Sequence, residues 1–149
     1  MKGSELRLIE YMEGSKKRFI IPVYQRNYDW KIENCKQLYD DLIQVIKNNS
    51  KTHFFGSIVS VYEPSGRNTE FLIIDGQQRL TTMSLLFLAM YNLLEEKIII
   101  SEDESLKDQI YEDFLVDKYQ PQEKRMKLKP IKNDQKAFSK LFNSKDDYI

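Results

Sequence analysis

Residues 73–82 read Ile-Ile-Asp-Gly-Gln-Gln-Arg-Leu-Thr-Thr, and this run constrains the fold more than any other. The apolar stretch Phe71 to Ile74 ends in Asp75-Gly76, and a second apolar stretch from about Leu80 to Leu94 follows at helical length. The pattern is a strand, a sharp turn and a helix. Gly76 lets the backbone turn tightly and lets a ligand come close to it. The first turn of a helix carries unpaired N–H groups and the positive end of the dipole, a setting that suits phosphate. Arg79 adds a forked donor that matches phosphate oxygens. Thr81 and Thr82 offer hydroxyls. Asp75 is the acid placed to hold a divalent ion or to orient a water. Gln77 and Gln78 suit positioning that water or reading a base edge. The same residues fit an ordinary strand–turn–helix with Asp75 as the helix cap. Three long polar side chains between two apolar segments tip the reading toward a site.

Around this centre the chain alternates helical and strand patterns. Ser4 to Glu13 reads as a short helix and Phe19-Ile20-Ile21 as a short strand broken by Pro22. Ile32, Cys35, Leu38, Leu42 and Val45 keep helical spacing, so a helix starts near Asp29 or Trp30. His53 to Tyr62 reads as a strand, Pro64-Ser65-Gly66 as a turn, and Phe71 to Ile74 as an antiparallel partner. The helix after Gly76 is apolar almost all round and belongs at the centre of the fold. Beyond Glu95 the stretch 102–117 is acidic and 123–140 is basic. Met126-Lys127-Leu128 suits a short strand, and Asn133 or Asp134 a cap for a last helix with Phe138, Leu141 and Phe142 facing inward. The expected organisation is one α+β domain, with a motif-bearing core over 1–95 and a helical extension over 96–149. The abrupt stop after that last helix suggests a piece of a longer protein.

A second group of polar and aromatic residues lies in Tyr24-Gln25-Arg26-Asn27-Tyr28-Asp29-Trp30. Gln25 and Arg26 are hydrogen-bonding heads, and the aromatics can stack on a base or on an Arg plane. The plainer alternative makes the aromatics core and pairs Arg26 with a buried acid such as Asp40 or Asp41; for Trp30 that is the better reading. His53 is a lone histidine, and such residues are more often structural than catalytic. Ser57 has no evident base partner, which argues against a Ser-His-Asp triad. Lys124, Arg125, Lys127 and Lys129 could meet nucleic-acid phosphates, although such a run is more often a solvated face.

Composition narrows the classes. Eight Phe, nine Tyr and one Trp in 149 residues supply a core and exclude general disorder. Lys plus Arg is 23 and Asp plus Glu is 23, which argues against binding nucleic acid through bulk charge. Cys35 and His53 are each the only residue of their type, so the chain offers no disulfide, no Cys-cluster metal site and no HNH nuclease centre. A single cysteine, no secretory signal and no membrane-length apolar run fit a cytoplasmic setting.

Four ordered motifs carry a family resemblance. They are Ile21-Pro22-x-Tyr24-Gln25-Arg26-x-Tyr28-x-Trp30, Gln37-Leu38-x-Asp40-Asp41-Leu42, His53-Phe54-Phe55-Gly56-Ser57-Ile58-Val59, and Ile74-Asp75-Gly76-Gln77-Gln78-Arg79-Leu80-Thr81-Thr82. In order and spacing they resemble the GmrSD-type N-terminal domain, a family of the ParB/sulfiredoxin-like fold group. The resemblance extends to Lys127-Leu128-Lys129 and to Asn133-Asp134 through Phe138, nearly the whole chain. It implies a role in modification-dependent restriction of foreign DNA, with nucleotide binding and hydrolysis at the Asp-Gly-Gln-Gln-Arg motif. DNA cleavage would fall to a C-terminal HNH-type domain or a partner subunit. On this reading Asp75, Gln77, Gln78 and Arg79 are catalytic, with Asp75 on Mg²⁺. Tyr24, Gln25, Arg26, His53, Gly76, Thr81 and Thr82 surround the nucleotide.

Three functions compete. The first is an NTPase coupled to restriction. The second is a module that binds nucleotide or DNA without turnover. The third is a fragment whose pocket is completed by a missing part or a second copy.

Overall fold

A computed structural model describes residues 8–48, 57–65, 68–118, 120–121 and 125–143. Its sheet has four strands in the order β2-β3-β1-β4: β1 is Lys17–Ile20, β2 Val59–Ser65, β3 Asn68–Asp75 and β4 Leu128–Lys129. β1 runs parallel to both of its neighbours, pairing Phe19 with Phe71 on β3 and with Leu128 on β4. β2 and β3 are antiparallel, as the sequence pattern predicts. Pro64 does not end β2: it sits on this outer strand of the sheet and pairs with Thr69 of β3. An edge strand tolerates proline, whose missing N–H costs no ladder bond on the open side.

Helix α1 spans Leu8–Met12, and the expected start at Ser4 lies outside the described residues. Helix α2, Ile32–Lys47, buries Leu38 and half-buries Cys35, Leu42 and Val45. Ile32, which the spacing assigns to the same face, is 83% exposed, so the inward stripe begins one turn later. Helix α3, Gln77–Glu95, is the central helix, with Leu80, Met83 and Leu88 buried. It starts three residues before the apolar run, so Gln77, Gln78 and Arg79 form its first turn. Helix α4, Leu106–Ile110, passes into a π-helical turn, Tyr111–Leu115, and helix α5 is Lys132–Asn143.

The main core lies where sheet and helices meet. Phe19 stacks on Phe71 at 5.4 Å with Tyr11 against both rings, and Ile73, Leu80, Leu128, Ile131 and Phe138 close over them. A second cluster joins Leu88 to Ile110, Leu115 and Val116, with Phe87 stacked flat on Phe114 at 4.3 Å. The residues after 95 thus supply a strand and part of the main core. They form one unit with the first 95 rather than a helical extension. Among the described residues no helix is long and apolar enough to cross a membrane.

Candidate functional site

The turn between β3 and α3 is built around Gly76, whose φ is +91°. That left-handed conformation disfavours any residue with a Cβ. A Cβ placed there would lie 2.9 Å from the Ser57 carbonyl oxygen and 3.0 Å from Ile58 Cγ1. Residues 57–58, just before β2, therefore pack directly over the turn. Asp75 Oδ1 accepts the Gly76 N–H at 2.9 Å, so the carboxylate braces the turn and does not cap the helix. The Leu80 N–H is the first to bond back along α3, to the Gly76 carbonyl at 3.0 Å. The amides of Gln77, Gln78 and Arg79 thus have no intrahelical acceptor. Asp75 is exposed, and half-buried Arg79 has no hydrogen bond or ion pair among the described residues.

The two glutamines, adjacent in sequence, have opposite fates. Gln78 Nε2 donates to the Asn27 carbonyl at 3.0 Å, and its Oε1 accepts the Asp29 N–H at 3.0 Å. Its carboxamide is spent holding the loop between β1 and α2. Three further bonds pin that loop. Gln25 Nε2 donates to the Ile74 carbonyl at 2.9 Å, the Tyr28 N–H donates to Asp134 Oδ2 at 2.7 Å, and the Tyr28 hydroxyl meets Thr82 Oγ1 at 2.8 Å. Tyr28 also touches Cys35 Sγ at 3.3 Å, and burial, reinforced by that thiol, pushes its hydroxyl pKa up to about 12. Gln25, Gln78 and Tyr28 are therefore framework. Trp30 packs on the core as read from sequence. Tyr24 is 69% exposed. Arg26 pairs loosely with Asp29 at 3.8 Å and not with Asp40 or Asp41, which bond Lys36 and Gln37 on their own helix.

Gln77 instead lines a cavity of about 210 Å³ between α3, α5 and the loop. Thr81 and Leu85 continue its α3 wall, and Asp134, Phe138 and Leu141 form the α5 wall. Arg26 stands at the solvent side. Asp75 and Arg79 do not line this cavity. At 100° per residue, Arg79 sits about 200° round the helix from Gln77, so the two cannot share a face. The residues grouped by sequence separate into a turn with Asp75, Gly76 and Arg79, and a cavity with Arg26, Gln77 and Thr81. The hydroxyls of Thr81 and Thr82 donate to the carbonyls of Gln77 and Gln78, both at 2.8 Å, leaving only acceptor capacity for a ligand.

The basic stretch needs one correction. Lys127 is 2% exposed, and its ammonium donates to the carbonyls of Met12, Gly14 and Asp113. Three donors meet three acceptors, so the residue ties α1 and the π-helical turn to the sheet edge and cannot reach DNA. Burial holds its pKa down to about 8. Arg125 and Lys129 remain exposed, as do Lys132, Lys136 and Lys140 at four-residue spacing along α5. His53 and Lys124 lie outside the described residues. Asp134 enters the site although the sequence suggests only a helix cap, because its partner Tyr28 is 106 positions away.

Fold and site together define an α+β domain whose mixed sheet presents a strand–turn–helix beside an inter-helix cavity. Residues 8–149 match the family of the GmrSD restriction endonuclease N-terminal domain, and the chain belongs to that family. It is thus a restriction-protein module. No curated protein sequence matches the chain.

Proposed function

We propose that this domain binds a nucleoside triphosphate with its phosphates over the first turn of α3 and hydrolyses it, as the nucleotide-driven part of a DNA restriction protein. The reading is carried by the Asp75–Gly76 turn. Gly76 brings the backbone close, three helix amides lack intrahelical acceptors, and Arg79 stands beside them without a partner among the described residues. Developing negative charge on phosphate oxygens would be met by these fixed donors. Asp75 has one oxygen fixed by the Gly76 amide, and its other oxygen can orient an attacking water. As that water's oxygen bonds to the terminal phosphorus, the bridging P–O bond breaks and the water's proton passes to the carboxylate or to solvent. Among the described residues no group of three or more His, Cys, Asp or Glu forms a metal cage. One carboxylate is enough for Mg²⁺, which keeps several waters and takes its other ligands from substrate phosphates. Bound there, the ion would neutralise phosphate charge. DNA, modified or not, would lie along the exposed Lys129, Lys132, Lys136 and Lys140, and a separate domain or subunit would cut it.

The alternative is binding without turnover. Gln78, expected to position water, is instead committed to Asn27 and Asp29. Phosphate release from each of the four NTPs with Mg²⁺ separates the two readings. Turnover is expected in the wild type and absent in Asp75→Ala. Release that Asp75→Ala and Arg79→Ala leave intact removes the site from the turn. Nucleotide binding without release establishes the binding module.

A further inference from the structure

We propose that the cavity between α3 and α5 takes a single flat heterocycle of nucleobase size, its edge read by the Gln77 carboxamide and the Asp134 carboxylate. The identity of that ring as the base of a nucleotide rests on the function proposed above; the pocket itself rests on separate observations. Gln77 is 8% exposed and lines the cavity; its side-chain amide bonds no described residue, and its polar atoms stay open to the cavity. A primary amide brings two donors and an acceptor oxygen, all open to a ligand in the cavity. Gln78, one residue on, shows the ordinary outcome with both ends occupied.

Size and lining narrow the missing partner. The cavity of about 210 Å³ is several times the ~30 Å³ share of one water. It is smaller than the ~300–1,000 Å³ that holds a complete drug-sized ligand. One ring system fits, and a whole nucleotide does not. Leu85, Ile131, Phe138 and Leu141 give apolar walls suited to ring faces, which water would hydrate poorly. Asp134 gives its Oδ2 to the Tyr28 N–H, leaving Oδ1 to accept from a ligand. A carboxylate oxygen accepts, so the ring presents a donor there, either an exocyclic amino group or a ring N–H. Arg26 at the solvent side is placed to meet whatever the ring is attached to.

The test uses phosphate-free nucleosides, so that it is independent of the turn. An NMR titration of the chain with guanosine, adenosine, cytidine and uridine reads weak binding, with the Gln77 side-chain amide as reporter. The expected result is saturable binding of the nucleosides. Gln77→Leu should weaken them about tenfold. Ala137→Phe should also weaken them, by filling the cavity from an exposed position that does not threaten the core. Tripolyphosphate with Mg²⁺ forms the second arm, with Arg79→Ala as its variant. If the ring belongs to a free nucleotide, an NTP binds more tightly than its nucleoside. If it belongs to a strand, a single-stranded oligonucleotide does so instead. Absence of nucleoside binding, or binding that neither cavity variant weakens, overturns the pocket. In that case tripolyphosphate binding lost in Arg79→Ala leaves the nucleotide reading standing. Nucleoside binding without tripolyphosphate binding keeps the pocket and removes the phosphate site.

Discussion

Gly76→Ala tests the geometry of the strand–turn–helix before any ligand is involved. At φ +91° an alanine incurs the left-handed penalty of about 1–2 kcal/mol. Its Cβ would also lie 2.9 Å from the Ser57 carbonyl oxygen and 3.2 Å from Ile58 Cα, both backbone atoms that cannot swing aside. Overpacking of that kind adds about 1–3 kcal/mol. Gly14→Ala supplies the control: its φ is +103°, but nothing lies within 4 Å of the new Cβ. It incurs the conformational penalty alone. The predicted difference between the two variants is therefore the contact term, about 1–3 kcal/mol. With a urea m-value of about 1–3 kcal/mol/M for a small domain, that places the Gly76→Ala midpoint roughly 1 M below that of Gly14→Ala. Trp30, the single tryptophan, reports the transition by fluorescence, and circular dichroism checks that it is cooperative. Equal midpoints for the two variants would refute the close packing of residues 57–58 over the turn.

Three further outcomes follow from side-chain bonds. Lys127 has a folded pKa of about 8 against an ordinary 10.5, so between those values the unfolded chain holds a proton that the folded one has released. Stability should rise with pH across that window, by about 3 kcal/mol in total, relative to Lys127→Met; a wild-type-to-variant difference that stays constant from about pH 7.5 to 10 refutes it. Asp134→Ala strands the Tyr28 N–H at a cost of about 1–3 kcal/mol, and Asp134→Asn, which keeps an acceptor, should cost less than half as much by urea titration. Tyr28→Phe removes the hydroxyl contacts to Thr82 and Cys35 and should cost about 1 kcal/mol, a loss that the same titration reads directly.

What the sequence disclosed was local. The turn at Asp75-Gly76, the antiparallel β2–β3 pair and the helical stripe of α2 are set by neighbours within a few residues. Each is close to where its pattern places it. The start of α3 was less legible because Gln77, Gln78 and Arg79 are polar, and polar residues after Asp-Gly read as loop. Their helical state follows from Gly76 φ, which no side-chain pattern encodes. Gln77 and Gln78 are chemically identical, and only contacts 49 and 51 positions away distinguish the framework residue from the cavity residue. Lys127 misleads for the same reason: it sits in a basic run, but its three carbonyl acceptors lie in elements that the sequence does not place beside it.

The parallel pairing of β1 has a consequence for how the chain is made. Residues 17–20 leave the ribosome early, but their neighbours are residues 69–72 on one side and 128–129 on the other. No hairpin satisfies this strand locally, and its second partner emerges only after residues 21–127 have been made. Over that interval Phe19 and Ile20 have an open edge, the condition under which a nascent segment seeks other strands. The sheet therefore closes from its last strand, and the loop that carries Tyr24 to Trp30, supported first by α3, gains its bond to Asp134 on α5 only after that strand has emerged.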